Sequence, residues 1–115
     1  VIGLLYAMRR TPVAQVYGDA LPILGVDGSL ATIGRDPPNP EIAPAVGKVY
    51  AKTGTTMLPG ELRAQVFAGY LDAKSGQRLA YVVYVNNVAP IDNIGQVIGV
   101  FTDEGVISAL LWGRY

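Results

Sequence analysis

The chain opens on an apolar run, Val1 to Met8, closed by Arg9 and Arg10, and cations suit a helix C-terminus. The run is far short of the roughly 20 residues that a membrane span needs, so no span is expected here and a buried helix is. Thr11-Pro12 predicts an N-cap followed by Pro at the first helical position, with a second short helix to about Ala20. Leu21 to Leu30, punctuated by one Pro and two Gly, reads as irregular, and Asp36-Pro37-Pro38-Asn39-Pro40 as an exposed loop. Alternation then takes over. Gly47 to Thr53 predicts a strand with Lys48, Tyr50 and Lys52 on one face and Val49, Ala51 and Thr53 on the other. After a loop at Pro59-Gly60, Val66–Leu71 and Arg78–Asn86 predict a hairpin, with Gly76 supplying a left-handed turn position. Val82 and Val83 interrupt the alternation, which predicts a second hairpin strand buried on both faces. From Ile91 to Trp112 the apolar period is helical. Gly99 and Gly105 weaken that helix, and Thr102-Asp103-Glu104 is a candidate cap for its second half. The expected class is α+β: about three antiparallel strands flanked by N- and C-terminal helices.

Composition narrows the chemistry. Half of the 115 residues are hydrophobic and 16% are charged, enough apolar surface for a packed core. Nine basic residues balance nine acidic ones, so there is no electrostatic case for nucleic acid or an anionic membrane surface. With no Cys and no His, disulfides, structural zinc and Ser-His-Asp or Cys-His catalysis are excluded. Any proton transfer must use Lys, Asp, Glu or Tyr. No metal or cofactor is expected.

The run that carries chemistry is Lys52-Thr53-Gly54-Thr55, expected at the C-terminal end of the first strand. Standing alone, it would read as a surface strand ending in a solvated Lys. A strand edge beside a cleft can hydrogen-bond an extended peptide. Lys52 would place an ammonium near a nucleophile and a substrate carboxylate. The Thr53 and Thr55 hydroxyls can bind that carboxylate, and Gly54 lets an acyl group approach the backbone without a Cβ in the way.

The flanks make the run more specific. Leu21 to Leu30, Gly47 to Thr55, Ala68-Gly69-Tyr70 and Val85-Asn86-Asn87 together resemble the serine D-alanyl-D-alanine carboxypeptidases of the penicillin-binding protein 4 type, peptidase family S13. Lys-Thr-Gly is one of the signature motifs of penicillin-binding proteins and serine β-lactamases. The resemblance implies that residues 1–115 form the C-terminal portion of a transpeptidase-like domain in that fold. It implies Lys52 and Thr55 as catalytic residues, with the Thr55 N–H an oxyanion donor, and Thr53, Gly54 and Thr55 as substrate-binding residues. The implied partners are D-Ala-D-Ala peptides of peptidoglycan, β-lactams and the remainder of a parent chain, in a periplasmic or other extracytoplasmic setting.

Two parts of that machinery are missing. The nucleophile motif is Ser-x-x-Lys, yet the residues three places after Ser29, Ser75 and Ser108 are Thr32, Arg78 and Leu111. Arg stays protonated and cannot act as the base. Tyr84-Val85-Asn86 matches the second motif in letters but follows Lys-Thr-Gly instead of preceding it. Both parts are therefore expected before Val1, in a chain whose abrupt start, without Met, looks cut from something longer. A non-catalytic peptide-binding or structural module, or a β-lactamase or esterase of the same fold, are the alternatives. Tyr50, Tyr70, Tyr81 and Tyr84 are read as cross-strand packing partners, and Asp27 and Asp92 as turn residues.

Overall fold

A computed structural model describes every residue from Val1 to Tyr115. The order is α1 (Ile2–Met8), α2 (Ala14–Asp19), 3-10 turns at Gly28–Leu30 and Ala43–Ala45, β1 (Val49–Leu58), β2 (Glu61–Asp72), β3 (Arg78–Val88) and α3 (Ile94–Arg114). The strands form one antiparallel sheet in the order β1-β2-β3. This is the expected α+β class with the expected sequence of elements.

The pleat divides the sheet into two differently covered faces. Val49, Ala51, Phe67, Leu71 and Tyr81 join Leu24, Leu30, Ile33, Ile42 and Ala109 in the largest core cluster, against which Phe101, Val106 and Trp112 of α3 also pack. Leu62 makes a smaller cluster with Ile91, Val97 and Val100 at the start of α3. On the opposite face, Tyr70 packs with Leu5 and Leu21, flanked by Tyr17, Tyr50, Ala80 and Val82. The result is three layers: α3, the sheet, then α1 and α2. Tyr70 does more than pack, because its hydroxyl donates to the Leu5 carbonyl at 2.6 Å and ties α1 to the sheet.

Several expectations are corrected. Thr11-Pro12 does not cap α2: Val13 holds the N-cap position, and the Thr11 hydroxyl donates back to the Met8 carbonyl. α1 is mostly exposed, burying only Leu5. The three strands run longer than their alternation suggested, since Pro59-Gly60 is a two-residue turn that keeps β1 and β2 paired to Leu58 and Glu61. Pro fixes one φ there and Gly60 takes the left-handed one, at +70°. β3 is an edge strand, half-buried at Val82 and Val83 on its two faces, rather than a doubly buried one. Gly76 does take the left-handed position, with φ +90°.

α3 runs unbroken through both glycines. Gly105 marks a close approach instead of a break, for a Cβ there would lie 2.9 Å from Ile42 Cδ1. Thr102 sits inside the helix, donating to the Ile98 carbonyl, so it caps nothing. The true cap is the box Asn93-x-x-Gln96: the Asn93 side chain accepts from the Gln96 N–H, and Gln96 Oε1 accepts from the Asn93 N–H. Asn93→Ala is expected to lower stability by about 1 kcal/mol, read as a shift of the urea midpoint at unchanged slope. α3 is long and apolar enough to cross a membrane by length and composition. Here its inward residues Val97, Val100, Gly105 and Ala109 are buried against the sheet and the loops beneath it.

Candidate active-site strand

Backbone direction along β1 follows from three bonds. The Asp72 N–H donates to the Lys48 carbonyl, so even-numbered residues turn their peptide groups toward β2. The Leu24 N–H donates to the Val49 carbonyl and the Ala51 N–H to the Pro22 carbonyl, so odd-numbered residues face the other edge. That edge is covered by Pro22 to Leu24 only as far as Ala51. Beyond it, the N–H and C=O groups of Thr53 and Thr55 point out of an open sheet edge. The Lys-Thr-Gly run therefore lies in the middle of β1, not at its end, because β1 continues to Leu58.

Side chains alternate the other way. Thr53 and Thr55 stand opposite Phe67 and Gln65 on the α3 face, while Lys52 and Gly54 stand opposite Ala68 and Val66 on the α1 face. Lys52 is exposed, and its ammonium curls around the edge to donate to the Thr53 carbonyl at 2.6 Å. The Thr53 hydroxyl donates to Ser29 Oγ at 3.0 Å. Thr55 Oγ1 donates to Gln65 Oε1. At Gly54 the missing Cβ makes room for a neighbour, since one built there would lie 2.9 Å from Val66 Cγ1.

Of the remaining candidates, Ser29 alone reaches the site. It lies on the 3-10 turn Gly28–Leu30, anchored where the Ile23 N–H donates to Asp27 Oδ1 at 2.7 Å. Asp27 thus has the local role expected of it, as a turn residue. Ser75 sits exposed in the β2–β3 turn, and Tyr84-Val85-Asn86 lies on β3, separated from β1 by the whole of β2. Neither belongs to the site.

Sequence reasoning missed Gln65 and Glu104 beneath the strand, and took Ser29 beside it only as a possible nucleophile. Gln65 and Glu104 are fully buried. Their signal was a polar residue in register with apolar ones: Gln65 two before Phe67 on a strand, and Glu104 four after Val100 on a helix. Burial pushes the Glu104 carboxyl up to about 7, and the nearby Gln65 side chain partly offsets the rise.

An open edge with outward N–H groups can hold an extended peptide and place a donor at a developing oxyanion. An ammonium and hydroxyls beside it suit a substrate bearing a carboxylate. No curated protein matches the chain. The family model for D-Ala-D-Ala carboxypeptidase 3 (S13) matches residues 1–101, which includes the whole of β1 and its hydroxyl partners. With that match over most of its length, the chain belongs to the D-Ala-D-Ala carboxypeptidase S13 family.

Proposed function

We propose that this chain is the C-terminal portion of a transpeptidase-like domain and forms one wall of the active site of a serine D-Ala-D-Ala carboxypeptidase or endopeptidase. It would act on peptidoglycan stem peptides outside the cytoplasm. The observation that carries this reading is the open edge of β1 at Thr53 and Thr55, set in a chain of the S13 family. A substrate strand pairing there would meet the Thr55 N–H as an oxyanion donor, and Lys52 would bring positive charge to the nucleophile and the substrate carboxylate. Thr53 and Thr55 would take the C-terminal carboxylate of D-Ala-D-Ala. The Thr53 hydroxyl and the Lys52 ammonium rest on internal partners, Ser29 and the Thr53 carbonyl, which a substrate would replace, while the Thr55 hydroxyl is held from beneath by Gln65.

The nucleophile is assigned to a Ser-x-x-Lys sequence elsewhere in the same protein, because no serine in these 115 residues precedes a lysine at that spacing. The reaction is acyl-enzyme formation at that serine followed by hydrolysis, and β-lactams would acylate the same residue. A fluorescent penicillin is expected to label a longer protein containing this segment and to leave the isolated 12.2 kDa chain unlabelled on a denaturing gel. A covalent band at the mass of the isolated chain would overturn the assignment of the nucleophile. An unlabelled longer protein that still binds D-Ala-D-Ala peptides would favour the second reading, a non-catalytic peptide-binding module.

A further inference from the structure

Gln65, Glu104 and Ser108 are the buried polar or charged residues of the chain, and all three line the seam between the sheet and α3. Ser108 is satisfied: it donates to the Glu104 backbone carbonyl at 2.8 Å and lies 3.1 Å from the Tyr81 hydroxyl. Glu104 is not. Both of its carboxyl oxygens are buried without a hydrogen-bond partner. A buried, unpartnered carboxylate is expensive, and the neutral acid is the form this surrounding favours. Its neighbour is Gln65, and Gln65 in turn holds the Thr55 hydroxyl.

The amide of Gln65 has one accepting end and one donating end, and a half-turn exchanges them. In the arrangement described above, the accepting end takes the Thr55 proton, so Thr55 has lone pairs but no proton to offer outward. The donating end, Nε2, makes only a long 3.5 Å contact with the Val66 carbonyl, and from there it is free to favour an ionised Glu104 beside it. A neutral Glu104 can instead donate its own O–H to Gln65 Oε1. Gln65 Nε2 then donates to Thr55 Oγ1, and the Thr55 proton is free for a substrate carboxylate.

We propose that Glu104 is a positioning residue which sets, through Gln65, whether the Thr55 hydroxyl is offered to the substrate carboxylate as a donor. This rests on the reading of Thr55 as a carboxylate-binding residue. The relay moves no proton between residues when the amide turns; only the protonation of Glu104 changes, with solvent as the source. The groups facing Glu104 add no competing charge. β2 presents Gln65, β3 presents Tyr81, whose hydroxyl is kept neutral by its burial, and the turn Ala43–Ala45 holds no titratable residue.

The sign follows from the raised value of the carboxyl, about 7 against 4.5. The folded state binds the proton more tightly than the unfolded one, so stability falls as pH rises from about 4.5 toward about 7 and then levels. The donor form of Thr55 is present below about 7 and lost above it.

The test measures acylation of the longer, nucleophile-bearing protein by a fluorescent penicillin, which carries a carboxylate, across that pH range. Wild type is expected to lose roughly tenfold in second-order acylation constant through the transition, mostly in the binding step, as one charge-assisted hydrogen bond is lost. Glu104→Gln, neutral at every pH, should flatten that part of the profile. Gln65→Met should flatten it as well while leaving the pH dependence of urea stability in place, a split that a merely structural role for Glu104 would not produce. If Glu104→Gln does not fold, Gln65→Met alone decides. An inflection that persists in either folded variant would overturn the proposal. Thr55→Val separates the levels: unchanged acylation would remove the reading of Thr55 and this inference with it, whereas impaired acylation with an unaltered Glu104→Gln profile would remove the inference alone.

Discussion

Replacing Lys52 by Ala in the longer protein is expected to lower the rate of acylation by a penicillin by about 10²- to 10³-fold, the effect of deleting one preorganised electrostatic group at a reacting centre. The fold should not change with it. Lys52 is exposed, its pairing with Ala68 is made through the backbone, and the one hydrogen bond of its side chain goes to the neighbouring Thr53 carbonyl. The loss should therefore appear in acylation and not in the urea midpoint. Lys52→Arg keeps the charge but replaces a compact ammonium by a planar fork, and should fall between wild type and Ala. Stopped-flow or gel-based acylation kinetics decide the matter. An acylation constant within twofold of wild type in Lys52→Ala would return Lys52 to the standing of a solvated strand residue.

The parts of the fold that were legible from sequence are those where local pattern and tertiary demand coincide. Val49 and Ala51 are apolar, buried and in strand alternation, and the hairpin at Gly76 has a residue that accepts a positive φ. The parts that were not legible are those where tertiary contacts decide. Gly105 looked like a weak point in a helix, yet the space it leaves is filled by Ile42 and Ile33 from a distant loop. Thr11 has the chemistry of an N-cap, but its hydroxyl satisfies the last turn of the preceding helix. Strand ends were also out of reach, because Leu58 and Glu61 belong to the sheet through pairing across Pro59-Gly60 and not through alternation.

The candidate site divides in the same way. The chemistry of Lys52, Thr53 and Thr55 was readable from their order, but their geometry was not. Alternation alone assigns Lys52 and Thr53 to opposite faces, and the bonds to Pro22 and Leu24 are what reveal which peptide groups point to open edge. Ser29 has no lysine three residues on, and only the fold brings it to Thr53. A polar residue that completes a buried apolar stripe, as Gln65 and Glu104 do, is the kind of signal a search for known motifs passes over.

Gly69→Ala is expected to be the most damaging single-methyl change in the sheet, with a loss of 3 kcal/mol or more, at or beyond the upper end of about 1–3 kcal/mol usual for overpacking. Gly69 is buried at the centre of β2, paired with Ala51 on one side and Tyr81 on the other. A Cβ there would lie 1.9 Å from the Tyr50 carbonyl oxygen and 2.8 Å from the Ala51 Cα. These atoms are backbone, so no rotamer change relieves the contact. β1 must move off β2 at Tyr50 and Ala51, immediately before Lys52, which breaks the ladder that aims the Thr53 and Thr55 N–H groups outward. Two other glycines make the comparison. Gly60→Ala meets nothing within 4 Å and carries only the strain of its φ of +70°, about 1 kcal/mol. Gly54→Ala meets a single side-chain atom, Val66 Cγ1, which can turn away. Against a total stability of about 5–15 kcal/mol for a domain, Gly69→Ala should shift the urea midpoint well beyond either of the others. If it proves no more destabilising than Gly60→Ala, the tight apposition of β1 and β2 at Ala51 is wrong, and with it the register that places Thr53 and Thr55 on the open edge.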